Sequence, residues 1–553
     1  MSERAERLLI ALVLLLAAFL RFWSIDFGFP DWWARPDEAN VTTRVMRMLL
    51  SGTHSPGFFE YPAGWLYLLR WLFATAARIG IATGTWSDVG AFHAAYVSDP
   101  TPWLLAARLT SALCGVATVG VVALLSRRIV GTGSVAAFFL AVAPLHVRDS
   151  RFGVTDVPVT LAVACALLWA ERLRRRRADG GNDGGDLVVA GLWVGLAGAI
   201  KYNAALVGIA PAVALFWSRW RSRESIVAVL VVASVATAVF FAINPFIVLD
   251  FDRFASDFAF QSHHISEGHG RDLGIGFRYH FTDTLRFALT APLLFASLLG
   301  VLIAIARPRR HRAFLPPLAF ALLYYLAMGT GRTVFFRYMI PILPVLAITA
   351  GLAVRVVAER IQSARTGRIV VTSLLALALG APALAASIRH ARIIGRTDTR
   401  ELAARWLREH VRADEGVVLA GGQGSLYGEP RLPGLEWCQI LTLEVEPPVC
   451  PDEALFSTLR MVDPRAGLGM IDRESFPWVL THEHELSLYS ALHFKLRAEL
   501  ERGAEPVVVF EPGPRGEERH GVFDPIDAYY APIAGFGGYE RPGPTIRVWR
   551  LKG

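Results

Sequence analysis

The chain is poor in charge and in cysteine: only 19% of its 553 residues are Asp, Glu, Lys or Arg, and there are four cysteines. Four cysteines are too few for a disulfide framework, which removes the small disulfide-stapled scaffolds. Ionisable residues are scarcest in the middle of the long apolar runs, where an ion- or proton-coupled transporter needs them. No internal repeat recurs, so a repeat array has no support. The first apolar segment lacks a small-residue cleavage site and reads as a retained signal anchor.

What is abundant is apolar sequence, 53% of the chain. That composition belongs to a polytopic α-helical membrane protein. Runs of spanning length, or slightly under, follow Leu8 to Trp23 at about 103–125, 133–147, 157–171, 187–200, 203–218, 225–247, 287–306, 313–328, 338–358 and 369–388. The formal net charge of +8 is concentrated in short connections: Arg127-Arg128, Arg172 with Arg174 to Arg177, Arg219 to Arg223, Arg307 to Arg312 and Arg360 to Arg368. This is the positive-inside signature of topology rather than a phosphate-binding face, and nucleic acid is not expected as a partner.

About eleven spans starting inside finish outside. The expected domains are therefore a transmembrane catalytic domain over 1–390 and an extracytoplasmic α/β domain over 391–553, in a multi-pass cytoplasmic-membrane protein. Tyr61 to Ile81 reads as an amphipathic helix on the outer surface, with a full span partnered by 83–100 as the alternative. In the tail, helix-like runs lie at Arg400–His410 and Leu486–Leu500, and strand-like runs at Val417–Ala420, Val507–Phe510 and Thr545–Leu551. Cys114 and Cys165 sit in apolar runs as small hydrophobes, whereas Cys438 and Cys450 could pair outside the cell.

The chemistry-bearing residues gather on the outer side. Asp37 and Glu38 follow the first segment, in a stretch rich in aromatic residues (Trp23, Phe27, Phe29, Trp32, Trp33) that suit an interface. Arg151 to Asp156 close the second outside loop, and Asp156 stands at a helix start, where an N-cap role competes with a catalytic one. Lys201-Tyr202 interrupts two apolar runs, and the lysine could either anchor in head groups or meet a lipid phosphate. The loop from Leu249 to Asp283 holds His263, His264, Glu267, His269, Arg271 and Asp272. A divalent metal on His263, Glu267 and His269 is conceivable, but the spacing matches no firm zinc signature, and no cofactor is required. Arg332, Arg337 and Tyr338 run against the positive-inside bias, and guanidinium groups suit bidentate capture of phosphate oxygens.

The order of these motifs resembles the membrane-embedded C-type glycosyltransferases, in the protein O-mannosyltransferase and lipid A aminoarabinose transferase branch. The matching pieces are Pro36-Asp37-Glu38, Glu60-Tyr61-Pro62, Arg151 to Asp156, Gly195 to Tyr202, Gly268-His269 and Arg337-Tyr338 before prolines. The resemblance implies transfer of a sugar from a polyprenyl-phosphate carrier to an acceptor, by inverting displacement. It implies Asp37 as the catalytic carboxylate, with Glu38 beside it and Asp156 as the second acidic residue of the site. Tyr61, Arg151, Lys201, Tyr202, His263, His264, His269, Arg332, Arg337 and Tyr338 are the candidates for binding substrate. Ala63 stands where many relatives have a second proline, and Tyr61 where the lipid A branch has lysine, which counts against a lipid A acceptor. The tail segments Tyr529-Tyr530, Gly535 to Tyr539 and Arg541 to Pro544 could bind the acceptor or equally be ordinary turns. A flippase for lipid-linked sugars shares the basic loops, and a non-catalytic anchor leaves the outer charges unexplained.

Overall fold

The computed structural model describes residues 2–30, 35–181, 183–218, 222–412, 415–420, 428–430, 473–474, 476–490, 492 and 494–552. The interface residues Trp32 and Trp33, the 219–221 part of one basic connection, and Cys438 and Cys450 lie outside the described residues. The chain divides into two compact units. The first comprises Met1–Ile25, Asn40–His93 and Pro102–Ile388, and the second Asp26–Ala39, Ala94–Thr101 and Arg389–Gly553.

The first unit is helical. Its N-terminal helix, Glu3–Phe22, starts where the Ser2 hydroxyl accepts from the Ala5 N–H at 3.2 Å, and Glu3 and Glu6 occupy the first turn. Both features answer the free N–H groups and the positive end of the helix dipole. Glu6 does a second job. Its carboxylate accepts from the backbone N–H groups of Gly133 (2.7 Å) and Ser134 (2.9 Å), capping the helix Ser134–Val142 from a distant part of the chain.

Among the described residues five helices are long and apolar enough to cross a membrane: Thr101–Ile129, Arg223–Ile243, Arg312–Gly329, Phe336–Ile361 and Arg365–His410. The bent pair Gly276–Leu289 and Ala291–Ala306 makes a sixth if counted as one span, and Gly184–Ile200 and Tyr202–Phe216 are shorter apolar helices. Every apolar run read from the sequence coincides with helix, but several are broken or short. The run at 133–147 is divided between Ser134–Val142 and Pro144–Asp149, because Pro144 cannot donate to the carbonyl of Leu140. Tyr61 to Ile81 forms the helix Gly64–Ala82, with Trp65, Leu66, Leu69, Phe73 and Ala77 buried along one stripe.

Close packing uses small residues. A Cβ on Gly300 would collide with the backbone of Thr349, so the glycine lets Ala291–Ala306 lie against Leu343–Ile361. Gly195, in the Gly195 to Tyr202 motif, does the same against Ala236 on the helix Arg223–Ile243.

The second unit is an α/β structure around a four-stranded sheet, β1 (Val417–Ala420), β2 (Trp478–Glu483), β3 (Ala504–Phe510) and β4 (Thr545–Leu551), in the order β1-β2-β4-β3. β1 and β2 are parallel, and the other pairs are antiparallel, with Leu480 opposite Val548. The sequence reading omits β2. Trp478 to His482 are buried on both faces, so this central strand shows no alternation, and its polar end disguises it. The helix Thr399–His410 is capped by the Asp398 carboxylate on the Arg400 N–H (2.8 Å) and packs Ala403, Ala404 and Leu407 on the sheet. The expected helix Leu486–Leu500 is instead two pieces, Ser487–Ser490 and Phe494–Gly503. The first is held by tertiary bonds from the Tyr489 hydroxyl to the Ile526 carbonyl (2.7 Å) and from the Ser490 hydroxyl to that of Tyr530 (3.0 Å).

His484 is buried in this unit against the rings of Phe523 and Tyr530, and its Nδ1 accepts from the Leu486 N–H at 3.1 Å. Burial pushes its imidazole down to about 4 from an ordinary 6.5. The folded state therefore keeps the neutral ring while the unfolded chain takes up a proton. Stability contributed by this residue is intact above pH 6.5 and is lost as pH falls towards 4, by on the order of 3 kcal/mol. Calorimetry of the full chain in detergent should show a transition that falls over this window. The variant His484→Gln, whose amide accepts the same bond without titrating, should flatten that part of the pH profile.

Candidate active site

In the first unit the loop His146 to Asp156 is wholly buried, against the ordinary tendency of loops to lie in water. Guanidinium groups make this possible. Arg21, fully buried, donates Nη1 to the carbonyls of Ala17 (3.1 Å) and Ala141 (3.0 Å) and Nη2 to that of Leu140 (3.2 Å), the carbonyl that Pro144 leaves without its helical donor. The same Nη2 lies 2.9 Å from His146 Nδ1, which must accept from a group that can only donate. Arg108 donates to the Ile25 carbonyl (3.0 Å), Arg151 to that of Leu20 (2.5 Å), and Arg148 to Asp149 (2.7 Å). The Trp65 indole N–H reaches Gly153 at 2.9 Å and fastens the helix Gly64–Ala82 to the same loop.

This rigid loop delivers Asp156 to the first turn of the helix Asp156–Ala178, where the dipole favours its charge. Asp156 is 3% exposed and accepts from Lys201 Nζ at 2.6 Å. Lys201 stands in extended backbone between Gly184–Ile200 and the 3₁₀ turn Tyr202–Gly208, and its ammonium also sits 5.1 Å from the centre of the Tyr338 ring. Both charges are largely out of water, so the short bond is an obligatory one. Tyr202 turns the other way: its hydroxyl donates to the Phe59 carbonyl (3.0 Å) and its ring packs on Phe254 and Phe258. Tyr61 packs edge-on against Phe58, and the Arg44 guanidinium lies 3.9 Å from the centre of the Phe58 ring.

A second cluster adjoins through the sequence neighbours Arg337 and Tyr338. Arg337 lies 4.0 Å above the Phe335 ring, Phe335 meets His269, and His269 Nδ1 is 3.2 Å from His264 Nε2. Burial, and then the Arg337 charge, hold the His264 imidazole below its ordinary range. The turn before Phe335 is tied to the end of the helix Phe251–Glu267 by the N–H of Arg332 and the hydroxyl of Thr333, which donate to Ile265 (2.9 Å) and His264 (2.5 Å) carbonyls. Arg332 itself is exposed and paired with Asp272 at 3.3 Å. His263 faces solvent with Glu267 at 2.9 Å, away from the His264–His269 pair. Among the described residues no group of three or more His, Cys, Asp or Glu could hold a metal ion. The contemplated triad of His263, Glu267 and His269 is thus split, because consecutive helical positions 263 and 264 point in different directions.

Asp37 and Glu38 belong to the second unit and open the helix Pro36–Leu50, with Pro36 at its first position and both carboxylates in the first turn. Glu38 is buried and Asp37 half-buried. Immediately before them Arg35 is fully buried and bonded to Asp527 at 3.1 Å, a contact across 492 residues. The sequence reading missed Arg35, Asp527, Arg21 and Arg108. The reasoning that singled out Arg332 and Arg337, an arginine in a stretch read from the sequence as outside, also selects these three arginines.

Residues 103–248 match the family model of dolichyl-phosphate-mannose-protein mannosyltransferases, a stretch that contains the buried loop, Asp156 and Lys201. The resemblance to C-type membrane glycosyltransferases is borne out there. No curated protein matches the chain. Among solved structures, the oligosaccharyltransferase of Archaeoglobus fulgidus in the apo form is similar at 15% identity and TM-score 0.49, over 76% of this chain and 63% of that one. ArnT from Cupriavidus metallidurans bound to undecaprenyl phosphate is similar at 18% identity and TM-score 0.42, over 74% and 73%. The arabinofuranosyltransferase AftD from Mycobacteria is similar at 14% identity and TM-score 0.44, over 100% and 40%. The chain thus spans under two thirds of the archaeal enzyme's length.

Replacing Lys201 by Met leaves the Asp156 carboxylate buried without its cation and should cost about 3 kcal/mol or more. The double variant Lys201→Met with Asp156→Asn should recover much of that loss, which a double-mutant cycle on thermal stability measures. In the second unit Arg35→Ala should cost a similar amount, about 3 kcal/mol, read as a lowered melting temperature.

Proposed function

We propose that this chain is a membrane glycosyltransferase that moves a sugar from a polyprenyl-phosphate carrier to an extracytoplasmic acceptor, with inversion at the anomeric carbon. The observation that carries the reading is the match of residues 103–248 to the mannosyltransferase family, since that segment holds the Asp156–Lys201 pair at 2.6 Å.

In the proposed reaction an acceptor hydroxyl attacks the anomeric carbon from the face opposite the phosphate. The new C–O bond forms as the bond to the carrier breaks, and the electron pair leaves on the phosphate oxygen. The proton of the hydroxyl passes to a carboxylate. Asp37 takes this base role by the resemblance, with Glu38 as its neighbour. Lys201 is suited to the phosphate. Asp156 fixes its ammonium with one of three N–H donors, leaving others for a ligand's oxygens. Asp156 is in this scheme the residue that orients the lysine. Arg337, adjoining the histidine pair, is the next cation for phosphate, and Arg332 a weaker one because its charge is already matched in water by Asp272. A phosphate whose charge is matched leaves readily, so the scheme needs positioning, a base and cations, and requires no cofactor.

In membranes supplied with a labelled polyprenyl-phosphate sugar, Asp37→Asn should lower transfer by about 10²–10⁴-fold while donor binding persists. Asp156→Asn should weaken donor binding as well, because Lys201 loses its anchor. Undiminished transfer in Asp37→Asn would remove the proposed base.

A further inference from the structure

The sequence treats the basic connections alike, and the structure separates them. Around the connection from Asp156–Ala178 to Gly184–Ile200 the arginines are neutralised: Arg174 and Arg175 pair with Glu171 (both 2.7 Å), Arg172 and Arg176 with Asp186 (2.8 and 3.0 Å), and Arg177 with Asp183 (2.6 Å). The turn from Arg307 to Arg312 is different. Its Arg307, Arg309, Arg310 and Arg312 are exposed, and none makes an ion pair or a side-chain hydrogen bond among the described residues. The turn is nonetheless firmly built. The N–H groups of Arg310 and His311 donate to the Arg307 carbonyl (3.0 Å each), and that of Phe314 donates to the His311 carbonyl (2.9 Å), while the buried Phe314 ring meets the His311 ring edge-on. The charges within electrostatic reach of His311 are Arg310, Arg307 and Arg355, with no carboxylate among them. Arg355 comes from the neighbouring helix Leu343–Ile361, where it already holds Glu359 at 2.8 Å. Like charges gathered in this way repel one another, and a bound anion relieves them.

The apolar surface that leads to the turn narrows the choice of anion. On the helix Ala291–Ala306, Phe295, Leu302 and Ile305 are exposed, at spacings that place them on one side of the helix, and the helix ends directly before Arg307. In a membrane protein such a stripe meets lipid chains, and arginines at its end meet head groups. We propose that the Arg307–Arg312 turn binds the phosphate headgroup of an anionic bilayer phospholipid, whose chains lie along the Phe295, Leu302 and Ile305 stripe. The proposal stands apart from the transferase reading. Guanidinium groups match phosphate oxygens with paired N–H donors, whereas a zwitterionic lipid brings its own cation, which the arginines repel. A water-soluble phosphate ester has the charge but nothing for the stripe.

The test uses the full chain in detergent, titrated with phosphatidylglycerol, phosphatidylcholine or soluble glycerol phosphate, with bound lipids counted by native mass spectrometry. The unaltered protein should bind phosphatidylglycerol about tenfold more tightly than phosphatidylcholine, and glycerol phosphate should not displace it. Arg309→Gln with Arg310→Gln should abolish that preference and leave the melting temperature in phosphatidylcholine unchanged, since neither side chain has a partner to lose. Arg172→Gln with Arg175→Gln removes the same charge and leaves Asp186 and Glu171 one arginine each, and should keep the preference. Equal affinity for the two lipids, displacement by glycerol phosphate, an undiminished preference in the Arg309 and Arg310 variant whatever its melting temperature, or an equal loss in both double variants would each overturn the site.

Discussion

Charge removed from water is the constraint on which the first unit is built. Taking an isolated carboxylate or ammonium into a low-dielectric interior costs many kcal/mol, so Asp156 and Lys201 persist there only because each meets the other at 2.6 Å. The same rule organises the loop before them. Four buried arginines, Arg21, Arg108, Arg148 and Arg151, spend their donors on backbone carbonyls and on Asp149. A loop stitched in this way cannot drift, and it carries Asp156 to a fixed place at its helix start. A site that must hold a charged group to within a fraction of an ångström gains from such a frame.

The second unit follows the rule with different parts. Arg35 and Asp527 bury a salt bridge that ties the segment just before Asp37 to the far end of the chain. The Asp37-Glu38 step therefore does not rest on the N-terminal sequence alone. Its N-terminal turn depends on residues added almost five hundred positions later, and truncation of the tail would leave Arg35 a buried charge without that counter-ion.

Much of the architecture was legible because its causes are local. Apolar runs bounded by arginine clusters announce helices, and short β-branched runs between turns announced β1 and β4 with their limits. Elements were misread where the cause was distant. β2 is buried on both faces by neighbours in the sheet, and the break after Ser490 is held by Tyr530 and Ile526. Among the described residues fewer helices are long and apolar enough to cross a membrane than the sequence has apolar runs, as at 133–147, which Pro144 divides.

The amino-acid order by itself determined the residue types available for chemistry and the motif order that resembles C-type glycosyltransferases, because hydropathy, charge and spacing are properties of neighbours along the chain. Only the tertiary structure decided which of them meet. Pairing Asp156 with Lys201 and setting the Tyr338 ring against that lysine depend on helices distant in sequence packing side by side. Side-chain partners across such packings are set by geometry and by the need to satisfy buried polar groups, which no linear pattern encodes.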